Sequence, residues 1–242
     1  MSRSEGSAVG GPSRPPDRGT PGRPGSGRSR PAALLRWWPA VVYPAALVTA
    51  SVAVLAEPEA SRAAHLMWAS TNLDNLADHP VAALFLSGFL ADGDVLGWTV
   101  LAVVGLAGLV AAVGPVRAVA TAVTAHLLGT AVSEGGLGVR IARGLDPVAD
   151  RGILDVGPSF VVVGTLIATI VCGRTIWWRL AAAAGFALAA PGLFDGLLQW
   201  DVSAVGHVTS VLVGLVAGLW FRHERRRSTP PGARLTPPQP HG

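Results

Sequence analysis

Lysine is absent from this 242-residue chain, and all 19 of its basic residues are arginine. Charge of either sign is scarce: 14% of residues are Asp, Glu or Arg, where soluble domains carry about 25%. Half of the residues are hydrophobic, and they come in long blocks rather than at amphipathic spacing. That pattern excludes an ordinary soluble domain and points to an all-α polytopic membrane protein. There is one cysteine, Cys172, inside an apolar run. It excludes a disulfide framework and a cysteine-built metal site; neither a metal nor a cofactor is expected. The missing lysine, with abundant Ala, Gly and Pro, reads as the codon bias of a GC-rich genome and carries no functional weight. The basic balance does not imply nucleic acid, because the arginines gather in two tails flanking apolar runs, where they serve membrane topology.

Residues 1–31 are Gly, Pro, Ser and Arg with almost nothing apolar, and 223–242 repeat that character. Both read as disordered basic tails, since they cannot bury enough surface to offset ordering entropy. The membrane domain lies between them, over 32–222. Six spans are expected there, at about 34–56, 96–114, 116–133, 157–173, 177–198 and 203–221. Pro191 marks a kink in the fifth. Residues 80–91, "PVAALFLSGFLA", are apolar but too short to cross, and fit an interfacial or re-entrant helix.

Arginine sets the orientation. With six spans, Arg3 to Arg30, Arg117, Arg174, Arg179 and the Arg222–Arg227 cluster all fall on one side. That side is cytoplasmic, so both termini are inside and the protein belongs in the plasma membrane. Asp155, Asp195 and Asp201 lie in the opposite loops and read as solvated charges.

Ionisable groups within spans are costly, so each one is a candidate site. His126 lies mid-way in the third span, Glu134 closes that span, and His207 lies about four residues into the sixth. His126, Thr130, Ser133 and Glu134 form a polar stripe at helical spacing. At the start of the fourth span stands "DVGPSF", with Ser159 the third residue of the expected helix. Taken alone, Gly-Pro-Ser is an ordinary turn followed by a cap. The fourth and sixth spans enter from the same face, however, and at ~1.5 Å per residue Ser159 and His207 share nearly one depth. A serine activated by an imidazole needs that arrangement. Gly206, Ser210, Gly214 and Gly218 recur every four residues on the sixth span and let another backbone come close.

Here the residues resemble a family. "GPSF" is similar to the G-x-S-G motif that opens the fourth helix of rhomboid intramembrane serine proteases. "GHVTSVLVG" looks like their sixth-helix A-H-x-x-G-x-x-x-G, with Gly206 for Ala and Ser210 for the first Gly. The resemblance, to a divergent rhomboid of bacterial type, covers about 34–221. It implies a six-helix rhomboid-like bundle and a Ser159–His207 dyad that hydrolyses peptide bonds of membrane-anchored proteins within the lipid bilayer. Two departures stand out. Phe160 replaces the motif's last small residue, and the second span lacks the family's H-x-x-x-N oxyanion pair. Oxyanion support would then fall to the Ser159 backbone N–H, to Gly157, or to His126 with Thr130, whose H-x-x-x-T spacing sits on the third span. His126 otherwise only holds the bundle together. The alternatives are a catalytically inactive rhomboid-like protein that binds or escorts membrane clients, and a small transporter.

Overall fold

The structure, a computed structural model, describes residues 34–228; the tail at 1–31 lies outside them, as does the second tail from residue 229. The described residues are helical with no strand. In chain order the helices are α1 (Trp38–Leu55), α2 (Glu59–Ala69), α3 (Leu73–Asp78), α4 (Pro80–Ser87), α5 (Val95–Val113), α6 (Pro115–Ala142), α7 (Ser159–Cys172), α8 (Ile176–Leu193) and α9 (Val202–Arg227). Short 3-10 turns occupy Val148–Gly152 and Leu197–Gln199.

Five of these helices, α1, α5, α6, α8 and α9, are long and apolar enough to cross a membrane. The helix that organises the rest is not among them. With 14 residues, α7 is only ~21 Å long, shorter than the ~30 Å hydrocarbon layer. It is nevertheless the most enclosed helix, packed on α5, α6, α8 and α9, with only Ser159, Ile170 and Val171 partly exposed. A helix apolar on every side has no face to give to water, and burial in the bundle centre is its stable solution.

Small residues let the neighbours close around it. On α9, Gly206, Ser210, Gly214 and Gly218 are all buried. A Cβ on Gly214 would stand 2.5 Å from the Gly164 carbonyl oxygen and 2.8 Å from Ile167, so only glycine admits α7 at this spacing. The Ser210 hydroxyl donates to the carbonyls of Gly206 and Ala125, 3.0 and 3.3 Å away, tying α9 to α6. On the opposite flank the Thr169 hydroxyl donates to the Gly105 carbonyl of α5 at 2.9 Å.

Two helices run beyond their expected ends. The third apolar run continues nine residues past 133, to Ala142, because Glu134 and Leu137 turn inward while Gly135 and Gly136 face out. Glu134 is therefore a buried mid-helix residue, not a terminal one. The last helix extends to Arg227, five residues into the expected second tail. Glu224 pairs there with Arg117 at 2.8 Å, and Arg225 donates to the Cys172 carbonyl. The expected start at 157 moves to Ser159, which becomes the first residue of α7 rather than the third.

The segment joining α1 to α5 is a folded cap. Tyr43 donates to the Gly88 carbonyl at 2.7 Å, Ser51 accepts from the Ala91 N–H at 2.9 Å, and His126 of α6 reaches the Leu84 carbonyl at 2.7 Å. The short apolar stretch at 80–91 is α4 and the turn after it.

Replacing Gly214 by Val should cost roughly 1–3 kcal/mol through overpacking, read as a lower unfolding midpoint in mild detergent. Gly136→Ala is the control. Nothing lies within 4 Å of a Cβ there, and a helical alanine should stabilise by about 0.5–1 kcal/mol.

Candidate active site

The site is built from the loop that delivers the chain into α7. Asp155 is 8% exposed, contrary to its reading as a solvated charge. Its carboxylate accepts the Ser203 hydroxyl at 2.8 Å and the Thr71 hydroxyl at 3.2 Å. Its backbone is pinned as well: its N–H donates to Ser70 Oγ at 2.8 Å, and its carbonyl accepts the Thr71 N–H at 2.9 Å. Two residues on, the Gly157 N–H donates to the Ser87 carbonyl at 3.1 Å. The loop before Ser159 is thus held by the α2–α3 turn, by α4 and by the first turn of α9. Sequence spacing hides this, because Asp155 and its partners are separated by 48 and 84 residues. The one readable sign is arithmetic. Asp155 stands four residues before Ser159, and Ser203 four before His207.

Ser159 opens α7 behind Pro158. The Val162 N–H takes the Pro158 carbonyl. The N–H groups of Ser159, Phe160 and Val161 therefore precede the first intrahelical bond and stay open at the helix N-terminus, where negative charge is favoured. Gly157, the other backbone candidate, has already committed its N–H to Ser87.

His207 is 5% exposed. Its Nδ1 lies 2.6 Å from the Leu193 carbonyl oxygen. A carbonyl only accepts, so Nδ1 carries the hydrogen and Nε2 keeps its lone pair. That Nε2 is buried and has no partner. Ser159 and His207 line one cavity of about 660 Å³ together with Trp98, Leu101 and Gly192. No hydrogen bond joins the two side chains in this structure.

Phe160, in place of the motif's last small residue, goes with Gly206, in place of the sixth-helix Ala. Its ring stands between α6 and α9: a Cβ on Gly129 would come within 2.9 Å of one ring edge, and a Cβ on Gly206 within 2.2 Å of the ring's far end. The large residue at 160 is thus accommodated by the smallest residue at 206. The ring also meets both intramembrane histidines, 5.2 Å from His207 and 6.3 Å from His126 between centroids.

His126 and Thr130 do not join the Ser159–His207 cavity. His126 lines a separate apolar cavity of about 450 Å³ with Tyr43, Phe85 and Phe89. Its Nε2 holds the Leu84 carbonyl and lies 3.4 Å from Ser87 Oγ. Asp201 remains a loop charge and caps α9 by accepting the Ala204 N–H at 3.0 Å.

The apolar helices make a multi-pass membrane bundle in which Ser159 and His207 line one cavity. Residues 33–226 match the family model described as rhomboid-like protein. Since that match spans well over half of the chain, the protein belongs to the rhomboid-like family. No curated protein and no solved structure matches it.

Ser203→Ala should cost roughly 1–3 kcal/mol, because it strips a donor from a buried carboxylate. Ser203→Thr, which keeps the hydroxyl, should retain most of the stability. Thermal unfolding in detergent compares the two.

Proposed function

We propose that this rhomboid-like protein is an intramembrane serine peptidase in which Ser159 is the nucleophile and His207 the base. The observation that carries this reading is the unpartnered Nε2 of His207, held in the base-competent tautomer by Leu193 and lining the same cavity as Ser159. In the reaction the Ser159 hydroxyl gives its proton to His207 Nε2 as its oxygen attacks a peptide carbonyl carbon. The N–H groups at the head of α7 meet the oxyanion. His207 then returns the proton to the leaving amine, and water releases the acyl group by the reverse sequence. Leu101, Gly185, Leu188 and Ala189 form an apolar wall between α5 and α8, which suits a membrane-anchored protein as substrate.

The same reading takes α7 as a sixth crossing, short because the bundle rather than lipid surrounds it. Six crossings bring Arg117, Arg174, Arg179 and the Arg222–Arg227 cluster to one side, cytoplasmic by the positive-inside rule, at the plasma membrane. The Arg117–Glu224 pair supports this by joining the head of α6 to the tail of α9.

A second reading is a client-binding protein without catalysis. It is favoured by the missing Ser159–His207 hydrogen bond and by the Phe160 ring packed edge-on to His207.

A fluorophosphonate probe separates the two. The peptidase reading expects covalent labelling of the purified protein, complete loss in Ser159→Ala, and labelling slowed roughly 10²–10⁴-fold in His207→Ala. Labelling that persists in Ser159→Ala removes that serine from the mechanism. An unlabelled protein whose clients still co-purify with Ser159→Ala supports the second reading.

A further inference from the structure

The polar face of α6 has chemistry that the dyad does not use. His126, Thr130 and Glu134 succeed one another at intervals of four, which puts them on one side of the helix. They are 8%, 1% and 2% exposed. Each carries a buried atom with no partner: His126 Nδ1, Thr130 Oγ1 and Glu134 Oε2. Ser133 does not share this property, since its hydroxyl donates to the Thr130 carbonyl at 3.2 Å.

Leaving such atoms dry is expensive, about 1–3 kcal/mol for each buried donor or acceptor. The kind of ligand that would relieve the cost follows from hydrogen-bond roles. His126 Nε2 faces a carbonyl oxygen at 2.7 Å, so it holds the ring hydrogen and Nδ1 is an acceptor. Thr130 can accept or donate, and so can the carboxyl of Glu134 when it carries its proton. The row needs a ligand that donates to His126 Nδ1 and can both donate and accept beyond it. Among the described residues no group of three His, Cys, Asp or Glu is placed to hold a metal ion. The helix spacing matches a different donor. Residues four apart are separated by ~6 Å along the axis, and two hydrogen bonds of about 2.8 Å through one water span nearly that distance.

We propose that the His126–Thr130–Glu134 face binds a file of ordered water. One molecule bridges His126 Nδ1 to Thr130 Oγ1, and the next bridges Thr130 Oγ1 to Glu134 Oε2. Thr130 is the joint, because its hydroxyl can take a hydrogen bond from one water and give one to the other. The file runs along α6 from the buried acid Glu134 inward to His126. His126 lines a different cavity from Ser159, and the Phe160 ring stands between α6 and α9. The water file therefore does not rest on Ser159 acting as a nucleophile.

The test is magnetisation transfer from water to histidine ring nitrogens by NMR. It uses the full chain, labelled with ¹⁵N-histidine, in phosphatidylcholine–phosphatidylglycerol nanodiscs, with the His126 signal assigned by its loss in His126→Gln. Transfer to the His126 ring is expected in the wild type and should be lost in Thr130→Val and in the smaller Thr130→Ala. Thr130→Ser should restore it, and the exposed His65 and His223 should give transfer throughout. A wild-type His126 ring with no transfer, beside positive His65 and His223, overturns the proposal. So does transfer that survives in both hydroxyl-free variants. Transfer that appears only in sodium-containing buffer assigns the face to a hydrated cation and overturns the water file as well.

Discussion

The buried carboxylate of Asp155 is the joint on which the site's geometry depends. Taking a carboxylate out of water costs several kcal/mol unless hydrogen bonds replace its hydration. Here the hydroxyls of Thr71 and Ser203 supply them, and Ser70 and Thr71 clamp the backbone at the same residue. Three distant parts of the chain thereby meet at one residue: the α2–α3 turn, the loop into α7, and the first turn of α9. The consequence for Ser159 and His207 is direct. Each lies four residues beyond an anchored position, Ser159 across the loop from Asp155 and His207 one helical turn after Ser203. A shift of the loop relative to α9 would change the separation of the two side chains at once.

What Asp155 fixes at one end, close packing fixes along the rest of α7. Lipid tails are as apolar as leucine, so the hydrophobic effect does not drive one membrane helix onto another. Packing and interhelical hydrogen bonds must hold them. The fit of α7 against Gly214 and Gly218 on one side, and the Thr169 bond to α5 on the other, do that work. They also let a helix of 14 residues sit in the bundle although it is too short for the bilayer. Ser159 at its head is partly exposed to a cavity, while Phe160 to Thr169 are enclosed.

The architecture was legible in the sequence where it is written in local terms. Blocks of apolar residues marked all five long helices and α7 to within a few residues, apart from the far ends of α6, α8 and α9. The small-residue row on α9 and the place of His207 near the start of that helix were legible for the same reason, since both depend on helical spacing alone. The end of α6 was not, because Glu134 followed by two glycines reads as the start of a loop. Only the tertiary placement of Glu134 and Leu137 toward the interior keeps that stretch helical. Asp155 was misread as solvated because its partners come from other segments. The Leu193 carbonyl that sets the His207 tautomer was out of reach altogether, since a backbone acceptor leaves no mark on residue type.

Phe160 shows how a departure that looks damaging in sequence can be neutral in packing and still consequential in chemistry. Against a side chain at 206 the ring would collide, and against Gly206 and Gly129 it fits. Its presence fills the space where α6 and α9 would otherwise face each other, and it contacts both histidines. His126 is then occupied elsewhere: its Nε2 pins α4 through Leu84, and it lines the cavity under Tyr43. In the proposed peptidase reading, an oxyanion formed on the Ser159 side would find its donors on α7 itself. The open N–H groups there suit that role for a physical reason that does not depend on side chains. They are fixed in direction by the helix, they need no reorganisation when charge develops, and the helix dipole adds to them. In the proposed peptidase reading, these N–H groups would stand in for the donor pair that the second span lacks, on an element that Asp155 and the glycine contacts hold in place.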